Sequence, residues 1–212
     1  MKLRNIGYAC INLCQELTTS KTFRLANLTD ERAAETIKQN IENLQKILRW
    51  NVENGIKLFR IGSSFIPFAS HKNFTFNWKE AFKTEFAEIH QYVKENNLRL
   101  SMHPGQYTVL NSPTEKIVNE SIAELEWQAE LLHILDPDGG IMVLHVGGVY
   151  GDKEASMNRF IRNFERLSPI AQHYLVLEND DKSYTLDDAL HICQAVKMPL
   201  VFDIFHHQCN YY

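Results

Sequence analysis

Five side chains that could bind metal ions follow short apolar runs along this 212-residue chain. They are His103, His145, Glu178, Asp203 and His206. Imidazole and carboxylate groups are the usual ligands of Zn²⁺, Mn²⁺ and Fe²⁺ where no thiolate takes part. A carboxylate such as that of Glu178 can bridge two metals. Two metals about 4 Å apart suit in-line displacement at phosphorus, because one generates hydroxide while the other stabilises the leaving oxygen.

Other polar positions allow two interpretations each. The Asp203-x-x-His206 spacing can bring both side chains to one side of a turn, but His207 leaves the identity of the ligating histidine open. Gln106 and Tyr107 could stack on or wedge beside a nucleic-acid base, or they could be ordinary loop residues. The pair at 147–148 is two glycines, which either allow close backbone approach to a ligand or only form a turn.

Six apolar stretches predict the strands that would position these residues. They span residues 3–11, 56–61, 98–103, 141–145, 174–178 and 199–203. Amphipathic segments lie between them, such as the stripe of Ile37, Ile41, Leu44 and Leu48, which predicts a helix that stops at Asn54. Strands alternating with helices indicate an α/β fold with a parallel sheet and helices outside it.

A TIM-type (β/α) barrel is favoured over an open doubly wound sheet because candidate site residues end nearly every strand. No glycine-rich phosphate motif follows the first strand, which argues against a nucleotide cofactor. A closed barrel needs eight strands and typically about 250 residues. Only six strands are predicted. We therefore expect residues 1–212 to form a single, incomplete barrel domain, which is a C-terminally truncated piece of a larger barrel.

Composition limits the class of protein further. Without a signal peptide, a long apolar run or a disulfide-like cysteine spacing, the chain is expected to be cytoplasmic and not membrane-bound. The net charge of -4 argues against a general nucleic-acid binder. However, residues 1–72 carry 11 Lys/Arg against 6 Asp/Glu, whereas the remainder carries 11 against 20. A basic first third therefore allows a local surface that faces phosphates.

Six motifs together resemble the UV-damage endonuclease family, which is related to endonuclease IV among the AP-endonuclease-like TIM barrels. These motifs are GYACIN (7–12), FRIGSS (59–64) with His71, SMHPGQY (101–107), HVGGVYGDK (145–153), LENDD (177–181) and FDIFHH (202–207). The resemblance covers nearly the whole chain. It implies a multi-metal enzyme that nicks DNA immediately 5′ of a UV photoproduct and leaves a 3′-hydroxyl.

The resemblance also implies roles for individual residues. It implies that His103, His145, Glu178, Asp203 and His206 are metal ligands. It also implies that Glu178 and His71 are catalytic residues. Gln106 and Tyr107 would probe the lesion by entering the duplex, and Tyr8 and Asn12 would line the lesion pocket. A photoproduct weakens base stacking, so such an enzyme would recognise the lesion through the lower cost of deforming the DNA.

The family's remaining metal ligands, which include a lysine thought to be carboxylated, would lie beyond Tyr212. We therefore expect weak or no nicking by these 212 residues and activity in the full-length parent. The predicted cofactor is a divalent metal cluster, with manganese expected and zinc or magnesium as alternatives. The predicted partner is damaged double-stranded DNA, which the chain would bind as a monomer.

Two other functions stay open. A sugar isomerase or epimerase on the same barrel would use similar His, Glu and Asp residues at strand ends. A non-catalytic remnant would bind metal or DNA without cutting it. The basic first third and the Gln106-Tyr107 pair favour the DNA-repair interpretation.

Overall fold

The computed structural model describes residues 5–211, and contacts divide this chain into two compact units. The first unit runs to His103 and also contains Leu131–Gly140. The second unit contains Pro104–Glu130 and the chain from Ile141 onward. The prediction of a single domain over residues 1–212 stays a prediction.

The first unit contains three parallel strands, β1 (Gly7–Ala9), β4 (Leu58–Ile61) and β5 (Arg99–Met102), with β4 between the other two. A small antiparallel pair, β2 (Ile11–Asn12) and β3 (Leu17–Thr18), lies between β1 and β4 in sequence. The helices are α1 (Asp30–Glu53), α2 (Trp78–Ala81) and α3 (Lys83–Glu95), and a short 3₁₀ helix covers Leu25–Asn27.

Helix α4 (Glu115–Leu135) begins in the second unit and ends in the first. The second unit then has three parallel strands, with β7 between β6 and β8. Their bounds are β6 (Ile141–His145), β7 (Leu175–Glu178) and β8 (Leu200–Val201). Its helices are α5 (Lys153–Phe164), α6 (Pro169–Tyr174), α7 (Leu186–Val196) and α8 (Ile204–Cys209).

The alternation of strands and helices confirms the predicted fold class. The chain is an α/β protein of the TIM-barrel type with six of the eight βα units. Helix α1 shows why the elements form where they do. The Thr29 side chain accepts a hydrogen bond from the Arg32 N–H and caps the helix, and the predicted apolar stripe is fully buried.

The predicted first strand is too long. Its first residues, including Leu3, lie outside the described residues, and the strand itself covers only Gly7–Ala9. Cys10 has a left-handed backbone with φ of 61°, which interrupts the extended conformation and separates β1 from β2. Apolar periodicity carries no signal for this break, because a cysteine is not a residue that favours positive φ.

Across residues 5–211, no helix is both long enough and apolar enough to span a bilayer.

A buried carboxylate fixes the start of β5, the strand that leads to His103. The Asp136 side chain, 5% exposed, accepts hydrogen bonds from the Leu100 N–H at 2.8 Å and from the Gly139 N–H at 3.1 Å. Burial raises the pKa of Asp136, although these two hydrogen bonds and the nearby charge of Arg99 oppose the rise. Asp136 therefore joins the turn before β6 to the body of β5.

We predict that Asp136→Ala lowers the free energy of unfolding by about 1–3 kcal/mol, because it leaves buried backbone N–H groups without an acceptor. A raised pKa means that the folded state binds the carboxyl proton more tightly than the unfolded chain does. The destabilisation should therefore be largest below the unfolded pKa and decrease as pH rises through the folded pKa. Urea unfolding of Asp136→Ala and of the exposed-site control Asp138→Ala measures both effects. Equal stability of the two variants would contradict the prediction.

Candidate metal centre

Two neighbouring strands of the second unit place a histidine and a glutamate side by side. His145 ends β6, Glu178 ends β7, and the two are direct partners in the parallel register. The His145 Nε2 lies 3.2 Å from the Glu178 Oε2, and the Glu178 side chain is only 8% exposed. Because all four residues of β7 are buried, the strand brings its terminal carboxylate out of an apolar interior.

The next strand supplies two more candidate ligands. Asp203 follows β8 and caps α8, since its Oδ1 accepts a hydrogen bond from the His206 N–H at 2.8 Å. This cap places His206 on the first turn of α8, and its ring centroid lies 5.4 Å from that of His145. Glu178, Asp203 and His206 each present a ligand atom within 4.8 Å of the others.

Asn179, which is fully buried, aligns the ends of β7 and β8. Its Nδ2 donates to the Asp203 carbonyl at 3.0 Å, and its Oδ1 accepts from the Asp203 N–H at 2.9 Å. The Asn179 carbonyl oxygen also lies 2.9 Å from the His206 Nδ1. Since a carbonyl can only accept, the His206 Nδ1 carries a proton, and in the neutral ring Nε2 keeps the lone pair. Sequence reasoning missed this positioning role of Asn179.

The donor set fits a divalent cation. Ligands that bind one ion at about 2.0–2.2 Å stand no more than about 4.4 Å apart, close to the separation of these atoms. The donors are imidazole nitrogens and carboxylate oxygens, which suit Zn²⁺, Mn²⁺ or Fe²⁺, and the group contains no thiolate. Glu178, Asp203 and His206 could therefore hold a metal ion, as predicted from the sequence for these three of the five candidate ligands.

His206 rather than His207 belongs to this group. The His207 ring instead packs against Phe202 and Tyr211, with centroid distances of 5.2 Å and 6.3 Å. The sequence left this choice open because the two histidines are adjacent. The structure separates them because consecutive positions of α8 point in directions about 100° apart.

His103 and His71 belong to the first unit. His103 is half-buried and directly follows Met102, the last residue of β5, as the sequence predicted. His71 lies in the long connection between β4 and α2, and its Nδ1 is 3.2 Å from the Asn73 N–H, from which it accepts a hydrogen bond. In the neutral ring its Nε2 therefore carries the proton. The metal-ligand role of His103 and the catalytic role of His71 stay predictions.

Tyr8 and Asn12 contact each other in the first unit. The Asn12 Nδ2 donates to the Tyr8 hydroxyl at 2.8 Å, and this hydroxyl donates to the Asn51 Oδ1 on α1 at 2.6 Å. The Tyr8 ring packs edge-on against Phe59 and Trp50. Burial raises the pKa of Tyr8, so its hydroxyl stays a proton donor. Sequence reasoning missed Asn51, which lies in a helix pattern with no signal for the contact.

Gln106 and Tyr107 lie on an exposed turn of the second unit, which the Thr108 N–H closes by donating to the Gly105 carbonyl at 2.9 Å. The Tyr107 side chain is 83% exposed. Both residues line a surface cavity of about 360 Å³, and Gly147, Gly148 and Tyr150 also line it.

The loop at residues 147–151 is held rigidly. The Gly148 carbonyl accepts hydrogen bonds from the Asn111 Nδ2 at 2.7 Å and from the Tyr184 hydroxyl at 3.0 Å. Gly147 has φ of 110°, and an added Cβ there would lie 2.5 Å from the Asn111 Oδ1. Only glycine fits this position, because the Asn111 side chain approaches the backbone closely there; approach to a ligand stays a prediction.

Comparisons with known proteins agree with the sequence motifs. A family model described as UV-endonuclease UvdE matches residues 4–212. A "UV DNA damage endonuclease" of Clostridium perfringens is 40% identical over 205 residues, which cover 96% of this chain and 50% of that protein. A "UV-damage endonuclease" of Schizosaccharomyces pombe is 35% identical over 95% of this chain and 36% of that protein. The chain thus spans about half the length, or less, of these curated relatives.

Two solved structures also superpose on this chain, one at much higher sequence identity than the other. The "Crystal Structure of SacUVDE" superposes with a TM-score of 0.93 at 40% identity, covering 97% of this chain and 71% of that one. A D-psicose 3-epimerase from Clostridium cellulolyticum H10 superposes with a TM-score of 0.57 at 16% identity over 79% of this chain and 60% of that one. The second likeness reflects the fold alone.

We predict that Asn179→Ala weakens Mn²⁺ binding by about 10–100-fold, because it releases Asp203 from its alignment with Glu178. Isothermal titration with MnCl₂ measures the affinity. Asn158→Ala, on the exposed face of α5, is the matched control and should bind like the wild type. Unchanged affinity in a folded Asn179→Ala protein would show that Asn179 does not position the ligands.

Proposed function

Because the chain belongs to the UV-endonuclease UvdE family, we propose that it acts as a metal-dependent DNA-repair endonuclease that nicks the backbone 5′ of UV photoproducts. The observation that carries this proposal is the group formed by His145, Glu178, Asp203 and His206 at the ends of three neighbouring strands. Metal-dependent phosphodiester hydrolysis uses such a concentration of ligands to hold its cations.

We assign metal binding to these four residues. A divalent cation held there would supply the Lewis acidity that phosphodiester hydrolysis requires, with manganese proposed and zinc or magnesium as alternatives. Burial of Glu178 excludes water from its carboxylate and strengthens its attraction for cations. His103 remains a proposed ligand on the basis of the family resemblance.

The electrostatics of the group support a role for metal in DNA binding. Two carboxylates, those of Glu178 and Asp203, repel a DNA phosphate unless bound cations offset their charge. The chain as a whole is also negative, with a net charge of -4. Binding of duplex DNA at this edge of the sheet should therefore depend on divalent metal.

Other residues have proposed roles in catalysis and lesion recognition. We propose a catalytic role for His71, whose Nε2–H could donate a hydrogen bond to a substrate oxygen. Tyr107 is exposed enough to stack on a base, and the neighbouring amide of Gln106 could hydrogen-bond to a base edge. For Tyr8 and Asn12 we propose contact with the lesion, which their mutual hydrogen bond would orient. The proposed partner is damaged duplex DNA.

A plasmid-nicking assay tests the proposed function directly. Any nicking by the 212-residue protein with MnCl₂, which we expect to be weak, should be faster on UV-irradiated than on unirradiated supercoiled plasmid. Glu178→Gln should abolish this nicking because it removes a buried anionic ligand, whereas Glu154→Gln on the exposed part of α5 should not. Equal nicking of both plasmids, or nicking that survives Glu178→Gln, would contradict the proposal. Metal-dependent binding of irradiated DNA without any nicking would instead support a non-catalytic remnant.

We also predict that Tyr107→Ala reduces the preference for irradiated over unirradiated duplex, because base–aromatic stacking is worth about 1–3 kcal/mol per base. Fluorescence anisotropy with labelled duplexes and CaCl₂ measures both affinities while limiting cleavage. Ile170→Ala, at an exposed apolar position on α6, is the control. If the preference is unaffected by Tyr107→Ala, Tyr107 does not probe the lesion.

A further inference from the structure

The sheet of the first unit has a polar face that the proposed function has not used. Along β4 and β5, Phe59, Ile61, Leu100 and Met102 are buried. The alternate residues Leu58, Arg60, Arg99 and Ser101 are half-buried or exposed on the opposite face. This alternation places a cation, Arg60, on the face away from the packed core.

Arg60 and Ser101 are direct partners in the parallel register of β4 and β5. Register partners project from the same face of a parallel sheet, so the guanidinium and the hydroxyl share one side. A cavity of about 310 Å³ lies on this side and is lined by Gly7, Ala9, Leu58, Arg60 and Ser101, together with parts of Tyr8 and Phe59. Ser101 is two residues before His103.

The cavity is cationic. Its lining contains one charged group, Arg60, and no carboxylate. Across residues 5–211, the Arg60 guanidinium forms no hydrogen bond or ion pair. Its positive charge opposes the rise in pKa that burial causes at the nearby Cys10 thiol.

A half-buried guanidinium loses hydration, and an anion restores what it loses. Guanidinium groups match the geometry of phosphate oxygens with two parallel N–H donors. Ala9, the register partner of Arg60 on β1, lines the cavity with only a methyl group, so its side chain does not cover the guanidinium. The site therefore suits a tetrahedral oxyanion and not a cation or an apolar group.

We propose that Arg60 and Ser101 form a phosphate-binding subsite that holds a backbone phosphate of the DNA substrate. The identity of the ligand as DNA rests on the proposed function. The geometry of the subsite rests on residues of the first unit alone. Arg60 is thereby a substrate-contacting residue in addition to those named above, and Ser101 donates a second hydrogen bond to the same phosphate. The contact is independent of base sequence and of damage.

The salt dependence of DNA binding tests this subsite. Each phosphate that a protein neutralises contributes about 0.9 to the slope of log K against log salt concentration on duplex DNA. Arg60→Gln should reduce the slope by about 0.9 and weaken irradiated and unirradiated duplex by the same factor. Arg60→Lys should keep the slope but bind more weakly, because it keeps the charge and loses the paired donors. Arg49→Gln, an exposed arginine of α1, should match the wild type.

The outcomes separate this inference from the proposed function. An unchanged slope in Arg60→Gln, with preference for irradiated DNA retained, overturns the phosphate subsite and leaves the proposed function intact. A reduced slope without any preference for irradiated DNA supports the subsite and contradicts lesion recognition. Stabilisation of the wild type against heat by inorganic phosphate, absent in Arg60→Gln, would show a general phosphate site and not one specific to DNA. If Arg60→Gln does not fold, Arg60→Lys is compared with the wild type instead. The subsite then requires that Arg60→Lys bind DNA more weakly at an unchanged salt slope, and equal affinity overturns it.

Discussion

Burial of the Glu178 carboxylate is the constraint on which the candidate metal centre depends. A charged carboxylate can be tolerated at 6% exposure only where opposite charge or hydrogen-bond donors surround it. His145 meets this need from β6, and Asp203 and His206 are held beside it by the end of β8. Asp203 adds a second carboxylate beside Glu178, and a bound cation would offset the repulsion between the two.

Backbone constraints extend from this centre to the loops that follow the strands. Asn111 and Tyr184 both hold the Gly148 carbonyl, although they come from segments that are more than 70 residues apart in the chain. Burial raises the pKa of Tyr184, so the phenol keeps the proton that it donates. The loop after His145 is therefore fixed next to the turn that carries Gln106 and Tyr107. A rigid loop beside an exposed turn gives the surface proposed to contact DNA a defined shape before any DNA binds.

Much of this arrangement follows from the sequence. The apolar runs that end in His145, Glu178 and Asp203 predicted both the strands and the common edge where their side chains meet, because parallel strands share one direction. The stripe at Ile37 and Ile41 predicted α1 for a similar reason. Contacts set by tertiary structure were not predictable. The amides of Asn51, Asn111 and Asn179 pair with backbone or side-chain groups far along the chain, and a buried asparagine looks in sequence like any surface one. The left-handed Cys10 was missed because no neighbouring residue signals it.

The reciprocal pair between Asn179 and Asp203 has a consequence for strand alignment. Strand β8 contains only two residues, Leu200 and Val201, so its ladder alone offers little to prevent a slip of one position along β7. Such a slip would exchange the two faces of β8 and turn Asp203 away from Glu178. The side-chain amide of Asn179 hydrogen-bonds to both the N–H and the C=O of Asp203. It thereby fixes the register of β8, the shortest strand of the sheet.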